Sequence, residues 1–168
     1  MNVIEAVAER WSPRAYEPTP FPDSKLKLIF ESGRAAHSCF NEQPWRFIFS
    51  KKDAGAARTH LESLLDPGNA FATQAWILGL SLGKKTFTKT GQPNRHNGHD
   101  VGSASHAMSL CAWDLGLGMR FMAGYNLEAA RKLVPPDYEP YSMFVIGNPQ
   151  KGLERPPRDR RPLLDRKS

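Results

Sequence analysis

The chain is poor in cysteine, with Cys39 and Cys111 its only two. Two cysteines do not build a disulfide scaffold, and a reduced, cytoplasmic setting is the simplest expectation. No apolar run approaches the ~20 residues of a bilayer-spanning helix, so no membrane association is expected. The opening MNVIEAVAERW carries Glu5 and Glu9 and lacks a basic region ahead of an apolar one, unlike a secretory signal. Also absent are a G-x-x-x-x-G-K-S/T phosphate loop, a G-x-S-x-G nucleophile elbow and an H-E-x-x-H zinc helix. The run GLGMRF starts as a dinucleotide fingerprint would. However, Phe121 occupies the third glycine position and the run follows a helical pattern rather than a strand. His96 and His99 are three apart in a Gly/Asn-rich loop, but no Cys or acid cluster joins them, so no metal is expected.

What is present describes a globular chain. Its 168 residues suit one domain, and 40% hydrophobic with 24% charged content argues against global disorder. The formal charge of +6 is unevenly spread. Residues 151–168, KGLERPPRDRRPLLDRKS, hold seven Lys or Arg against three acids. Such a tail serves as a nucleic-acid arm, a solvated face or an anion clamp. No aromatic residue interleaves with its arginines, which argues against nucleic acid.

The patterns predict the order α, α, β, α, β, α, α, β and then the basic tail. Asn2 with Glu5 resembles a capping box ahead of a short helix, with Val3, Ile4 and Val7 on one face. Prolines at 13, 18, 20 and 22 break the next stretch. Asp23 is read as the cap of a second helix bearing Leu26, Ile29 and Phe30, and Asp53 as the cap of a third with Leu61, Leu64 and Leu65. Strands are expected at Arg46–Ser50, Trp76–Leu82 and Tyr141–Ile146. A loop is expected over Thr86–His99, and a long helix over Asp100–Leu117 with Ala104, Ala107, Met108, Cys111 and Leu115 as its buried stripe. Asn126 caps a last short helix. Three strands are few for so many helices, so the sheet must gain others, from this chain or from a partner.

Several stretches carry possible chemistry. In RWSPR, Arg10, Ser12 and Arg14 alternate, and alternate side chains of an extended segment point the same way. Guanidiniums so placed suit a phosphate, whose geometry Arg matches in a bidentate fork; solvated arginines have the same spacing. Arg158, Arg160 and Arg161 in the tail suit the same task. In HSCFNEQPW, Ser38 offers a hydroxyl, and Asn41 and Gln43 offer amides that donate and accept at once. That suits the polar edge of a planar heterocycle, or a loop satisfying its own backbone. Gly102, Ser103 and Ala104 are small enough to admit a flat ligand, and the FMAG turn offers the N–H groups of Ala123 and Gly124.

Together these stretches resemble the FMN-dependent nitroreductase family. Its R-[RH]-S-x-[RK] motif is matched by Arg10–Trp11–Ser12–Pro13–Arg14, and its P-S-S-x-N-x-Q-P-W motif by the segment His37 to Trp45. A third motif, D-x-G-x-A continuing to G-L-G and G-[FY]-[DN], runs from His99 to Asn126. FVIGNP and RRPLLD resemble the family's final strand end and closing segment. Departures are Trp11 for Arg or His, His37 and Cys39 for Pro and Ser, and a GNP without the usual aromatic. The chain reads as a short member.

The resemblance implies an α+β fold with a central, mostly antiparallel sheet flanked by helices. It implies a homodimer with C-terminal tail exchange, in which residues 1–150 form the FMN-binding domain and residues 151–168 reach over the partner. FMN is the implied cofactor. Arg10, Trp11, Ser12 and Arg14, helped by Arg160 and Arg161, would hold its phosphate, ribityl chain and pyrimidine edge. His37, Ser38, Cys39 and Asn41 would come from the other chain. Asn69 would approach the ring, Asp100 and Ser103 would line it, and Ala123 and Gly124 would face N5. The implied activity passes a hydride from NAD(P)H via the flavin to a nitroaromatic, quinone or similar conjugated acceptor by a ping-pong mechanism, with no obligatory catalytic side chain. Two other readings stay open: a flavin-binding relative without reductase turnover, and a basic adaptor that binds nucleic acid.

Overall fold

The computed structural model describes residues 2–161. Its centre is a five-stranded antiparallel sheet: β1 (Tyr16–Glu17), β2 (Trp45–Lys51), β3 (Ile77–Lys84), β4 (Gly118–Met122) and β5 (Tyr138–Pro149). The path β1-β5-β3-β2 leaves β2 at an edge, and β4 also pairs with β5. β5 is the longest strand and organises the others. Residues 138–146 run beside β3, residues 143–147 beside β4, and Asn148 and Pro149 pair with β1.

Five helices cover the sheet: α1 (Val3–Glu9), α2 (Asp23–Arg34), α3 (Ala56–Glu62), α4 (Asn97–Asp114) and α5 (Leu127–Leu133). Strand alternation explains how both faces are covered, since successive side chains point to opposite sides. Leu78, Leu80, Leu82, Met143 and Val145 pack with Leu61 of α3, with Leu64 just after that helix, and with Ala130 of α5. Their neighbours Ile77, Phe144 and Ile146 pack with Ile29 of α2 and with Met108 and Ala112 of α4. A strand buried on both faces reads as a nearly continuous apolar run, as β3 does apart from Ser81 and the terminal Lys84. Full burial of a side chain such as Phe144 contributes about 2–3 kcal/mol. Gly79 is required where β2, β3 and β5 meet: a Cβ there would lie 2.4 Å from the Phe144 ring and 2.5 Å from the Ile48 carbonyl oxygen.

The three expected strands and five helices are present, and the two missing strands come from this chain. β4 occupies the GMRFM run that directly follows the expected long helix and is not predicted as a strand. Gly116, at φ 75°, ends α4 and turns the chain back, so that Met119 and Met122 are buried against β5. β1 lies in the proline-rich run and is only two residues long, as expected of an edge among prolines. Helix α4 starts at Asn97, inside the segment read as loop, because Asn97 is anchored: its amide donates to the Lys84 carbonyl at 3.0 Å and accepts from the Tyr141 hydroxyl.

The caps divide. Asn2 and Asn126 accept from the Ile4 and Ala129 amides at 3.0 and 2.9 Å. Asp23 lies within the first turn of α2 behind Pro22, and Asp53 precedes the actual cap, Gly55, by two residues. The expected apolar face of α1 is turned outward: Val3, Ile4 and Val7 are exposed, and Ala6 alone is buried. Among the described residues no helix is long and apolar enough to cross a membrane, and no metal-ligating cluster forms. The closing RRPLLD extends beyond Arg161, and its last four residues lie outside the described residues.

Candidate functional site

The basic tail meets the start of the chain. After β5 the backbone passes the C-terminal end of α1, where the Arg155 Nη1 donates to the Ala8 and Glu9 carbonyls at 2.6 and 3.2 Å. Helix carbonyls left without intrahelical donors attract a cation at this position. The same guanidinium pairs with the Glu9 carboxylate at 3.3 Å. This anchor places Arg158 and Arg160 beside Arg10 around a cavity of about 550 Å³ that His106 also lines. Burial lowers the Arg10 pKa, and the positive charges of Arg158 and Arg160 lower it further. The Arg10 Nε is buried without a partner, and its Nη1 donates to the Ser12 hydroxyl at 3.3 Å. Arginine stays charged in such settings. The result is a concave group of guanidiniums with unspent donors, suited to a multiply charged anion.

Arg14 does not join it. The chain bends at Arg14 after Pro13, which ends the alternation that RWSPR suggests, and the Arg14 side chain is exposed. Its charge acts on Arg120 of β4 instead. Arg120 donates from Nη1 to the Ser12 carbonyl at 2.8 Å, stands 5.5 Å from the centre of the Phe71 ring, and has a second buried, unpartnered Nε. Trp11 is half-buried and Arg161 is exposed. Arg158 lines the cavity, as its place in the tail suggests, whereas no motif points to Arg120 or Arg155. The signal for Arg120 is a lone arginine between apolar residues in GMRFM.

A second group forms where the 37–43 loop meets α4. The Cys39 amide donates to Asp100 Oδ2 at 3.2 Å, and Asp100 is only 1% exposed. Asp100 sits in the first turn of α4, where the helix dipole favours a carboxylate. The His37 and Ser103 side chains meet at 3.4 Å, and His99 lies 3.5 Å from the Asp100 carboxylate. The two imidazoles are 6.1 Å apart, so no Ser–His–Asp relay is assembled. Within the loop, the Ser38 hydroxyl accepts from the Gln43 amide at 3.0 Å, and the Gln43 side chain donates to the Asn41 carbonyl at 3.1 Å. Ser38 and Gln43 thus satisfy the loop itself, while Asn41 is exposed.

A third group lies at the end of β4. The Asn69 Nδ2 donates to the Gly124 carbonyl at 2.8 Å, beside the exposed Ala123. Asn69 rides on a short 3-10 segment, Pro67–Gln74, which a buried arginine holds from behind. The Arg58 Nη2 donates to the carbonyls of Ala72, Thr73 and Ala75, and its Nε pairs with Glu62 at 2.7 Å. Nothing in the motifs pointed to Arg58.

Comparison with known proteins agrees with this architecture. Residues 7–66 match the family model described as Nitroreductase family. A curated protein of Methanothermobacter thermautotrophicus, provisionally named NADH dehydrogenase/NAD(P)H nitroreductase, is 27% identical over 157 residues, covering 89% of this chain and 78% of that protein. A nitroreductase family protein of Clostridium difficile 630 superposes with a TM-score of 0.80 at 25% identity, over 100% of this chain and 99% of its own. A Desulfovibrio desulfuricans structure, assigned as a nitroreductase and solved in complex with FMN, superposes with a TM-score of 0.78 at 26% identity, over 97% of this chain and 94% of its own. By motif, family model and fold, the chain is similar to proteins of the nitroreductase family.

Proposed function

We propose that this chain is an FMN-dependent oxidoreductase that takes reducing equivalents from NAD(P)H and delivers them to a nitroaromatic, quinone or similar conjugated acceptor in two half-reactions. The observation that carries the reading is the guanidinium group. Arg10, Arg158 and Arg160 surround a cavity, and the buried Arg10 Nε has no partner there. Three like charges held together call for an anion, and the flavin phosphate fits that requirement.

FMN supplies the hydride chemistry when bound. The chain's own residues bind and orient. Arg10, Arg158 and Arg160 would hold the phosphate, and Ser12 is held in place by Arg10. Arg14 and Arg120 place positive charge on the Phe71 side of Ser12, a setting that would favour an anionic reduced ring. Asn69, Ala123 and Gly124 offer amide and backbone groups, while Asp100 fixes the 37–41 loop through the Cys39 amide. In this reading that loop faces the flavin of a second copy. Residues 1–150 would form the flavin-binding body, and the basic tail that supplies Arg158 and Arg160 would be the exchanged segment, whose residues 162–168 lie outside the described residues. A homodimer is supported by the exposed Val3, Ile4 and Val7 of α1 and by Ile48 and Phe49 on the edge strand β2. Edge strands with exposed apolar residues are normally covered.

The test is spectroscopic. Freshly purified protein is expected to be yellow, to bleach anaerobically with NADH or NADPH, and to recolour when a quinone or nitroaromatic is added. A flavin that no pyridine nucleotide bleaches would replace this reading with flavin binding alone. Colourless protein that FMN cannot reconstitute would remove the flavin altogether.

A further inference from the structure

The segment 37–43 is held in an unusual backbone shape. Phe40, Asn41 and Gln43 have φ values of 53°, 56° and 51°, the left-handed region that bulky residues avoid. Strain of this kind persists where surrounding contacts impose it, and such sites cluster at ligand clamps. Here the contacts are explicit. The Ser38 hydroxyl takes the Gln43 amide, the Cys39 amide is tied to buried Asp100, and Glu42 reaches the opposite loop, accepting from the Thr88 amide at 2.7 Å.

The consequence is the position of one ring. Phe40 is 91% exposed at the tip of this segment, although nothing in the core depends on it. Phe87 stands edge-on to it, with centroids 6.0 Å apart and planes at 67°. The rings border an open cavity of about 450 Å³, completed by Glu42, Lys89 and Thr90. That size suits a small aromatic molecule. The two charged groups there are differently engaged. Glu42 is engaged by Thr88, and the Lys84 ammonium donates to the same threonine hydroxyl at 2.9 Å. Lys89 has no ion-pair partner among the described residues. Two aromatic faces beside an unpaired ammonium select a planar ring carrying a negative group.

We propose that Phe40 and Phe87, with Lys89 at the rim, bind the ring of a planar aromatic acceptor bearing a carboxylate or similar anionic substituent. This rests on the proposed oxidoreductase function, since Phe40 lies between Cys39 and Asn41 of the candidate flavin loop. The acceptor class is thereby narrowed from conjugated compounds in general to anionic aromatic ones.

Calorimetric titration with 2-naphthoate and with its neutral amide, 2-naphthamide, tests the proposal on the flavin-loaded protein. Wild type is expected to bind naphthoate more tightly than the amide. Phe40→Ala should weaken both about tenfold, the scale of one lost aromatic contact. Lys89→Ala should weaken naphthoate several-fold and leave the amide unchanged. Flavin absorbance should be the same in all three proteins. Wild-type affinities in Phe40→Ala, or no naphthoate binding to yellow wild-type protein, would overturn the groove. So would a Phe40→Ala protein whose sole change is a higher monomer fraction in sedimentation, since the ring would then seat on a second copy. Colourless wild-type protein that FMN cannot reconstitute instead removes the parent function, whatever naphthoate does.

Discussion

The Asn69 amide donates to the Gly124 carbonyl at 2.8 Å across 55 residues of sequence, joining the 3-10 segment before β3 to the end of β4. A Cβ on Gly124 would lie 2.8 Å from the Asn69 Nδ2 and 3.0 Å from a carboxylate oxygen of Asp66. Both obstacles are ends of side chains, so the fold should survive but the bond should not. Gly124→Ala is expected to cost about 1 kcal/mol, the usual worth of such a bond. Urea denaturation measures that cost. Flavin affinity should fall with it if Asn69 faces the ring.

Arg58 presents a sharper case. It is 3% exposed, serves three carbonyls and pairs with Glu62. Arg58→Met keeps bulk but leaves those carbonyls and the Glu62 carboxylate without their donor. A loss of about 3–5 kcal/mol is expected in denaturant unfolding. Arg58→Lys should recover only part of it, because a point ammonium cannot replace a planar fork.

The guanidinium group predicts a ranking of flavin affinities. Arg10→Ala removes the buried unpartnered donor and should weaken FMN binding by roughly 10- to 100-fold, the effect of one charge-assisted contact of about 1.5–3 kcal/mol. Arg158→Ala should follow the same direction. Arg161→Ala, at an exposed side chain, should change little. Quenching of FMN fluorescence on binding gives all three constants. Equal losses at Arg10 and Arg161 would contradict the geometry.

Glu42 ties the 37–43 loop to the Thr88 loop, and its pKa is lowered, first by the Thr88 side-chain hydrogen bond. Lys84 adds a smaller effect of the same sign. A carboxylate whose folded pKa is depressed contributes stability above its unfolded value, near 4.5. That contribution disappears as pH falls through the lower folded value. Amide exchange at Thr88 is therefore expected to be slowed near neutrality and to lose this protection only in acid below the ordinary carboxylate range, after correction for intrinsic exchange. Glu42→Gln should remove the acid step.

Part of this molecule is legible without coordinates. Asn2 and Asn126 announce helix starts because their short side chains reach back to the next turn. Trp76–Leu82 announces a strand because Ser81 is the one polar residue in it. Asp23 and Asp53 mislead for a related reason: an acid near a helix start is favoured by the dipole whether or not it caps. GMRFM misleads because glycine, methionine and arginine have weak strand preference, and only pairing with β5 makes the run extended.

What the sequence alone determined is five helices and three of the strands, the likeness to a family, and the residue types that could bind an anion and a flat ring, since these rest on local pattern. Tertiary structure decided which of them meet. Arg10 was gathered with Arg158 and Arg160 because Arg155 docks on the end of α1. Arg14 was turned toward Arg120 by a bend after Pro13, and Phe40 was held outward by contacts to α4 and to the Thr88 loop. Those contacts join residues tens of positions apart, and no local preference encodes them.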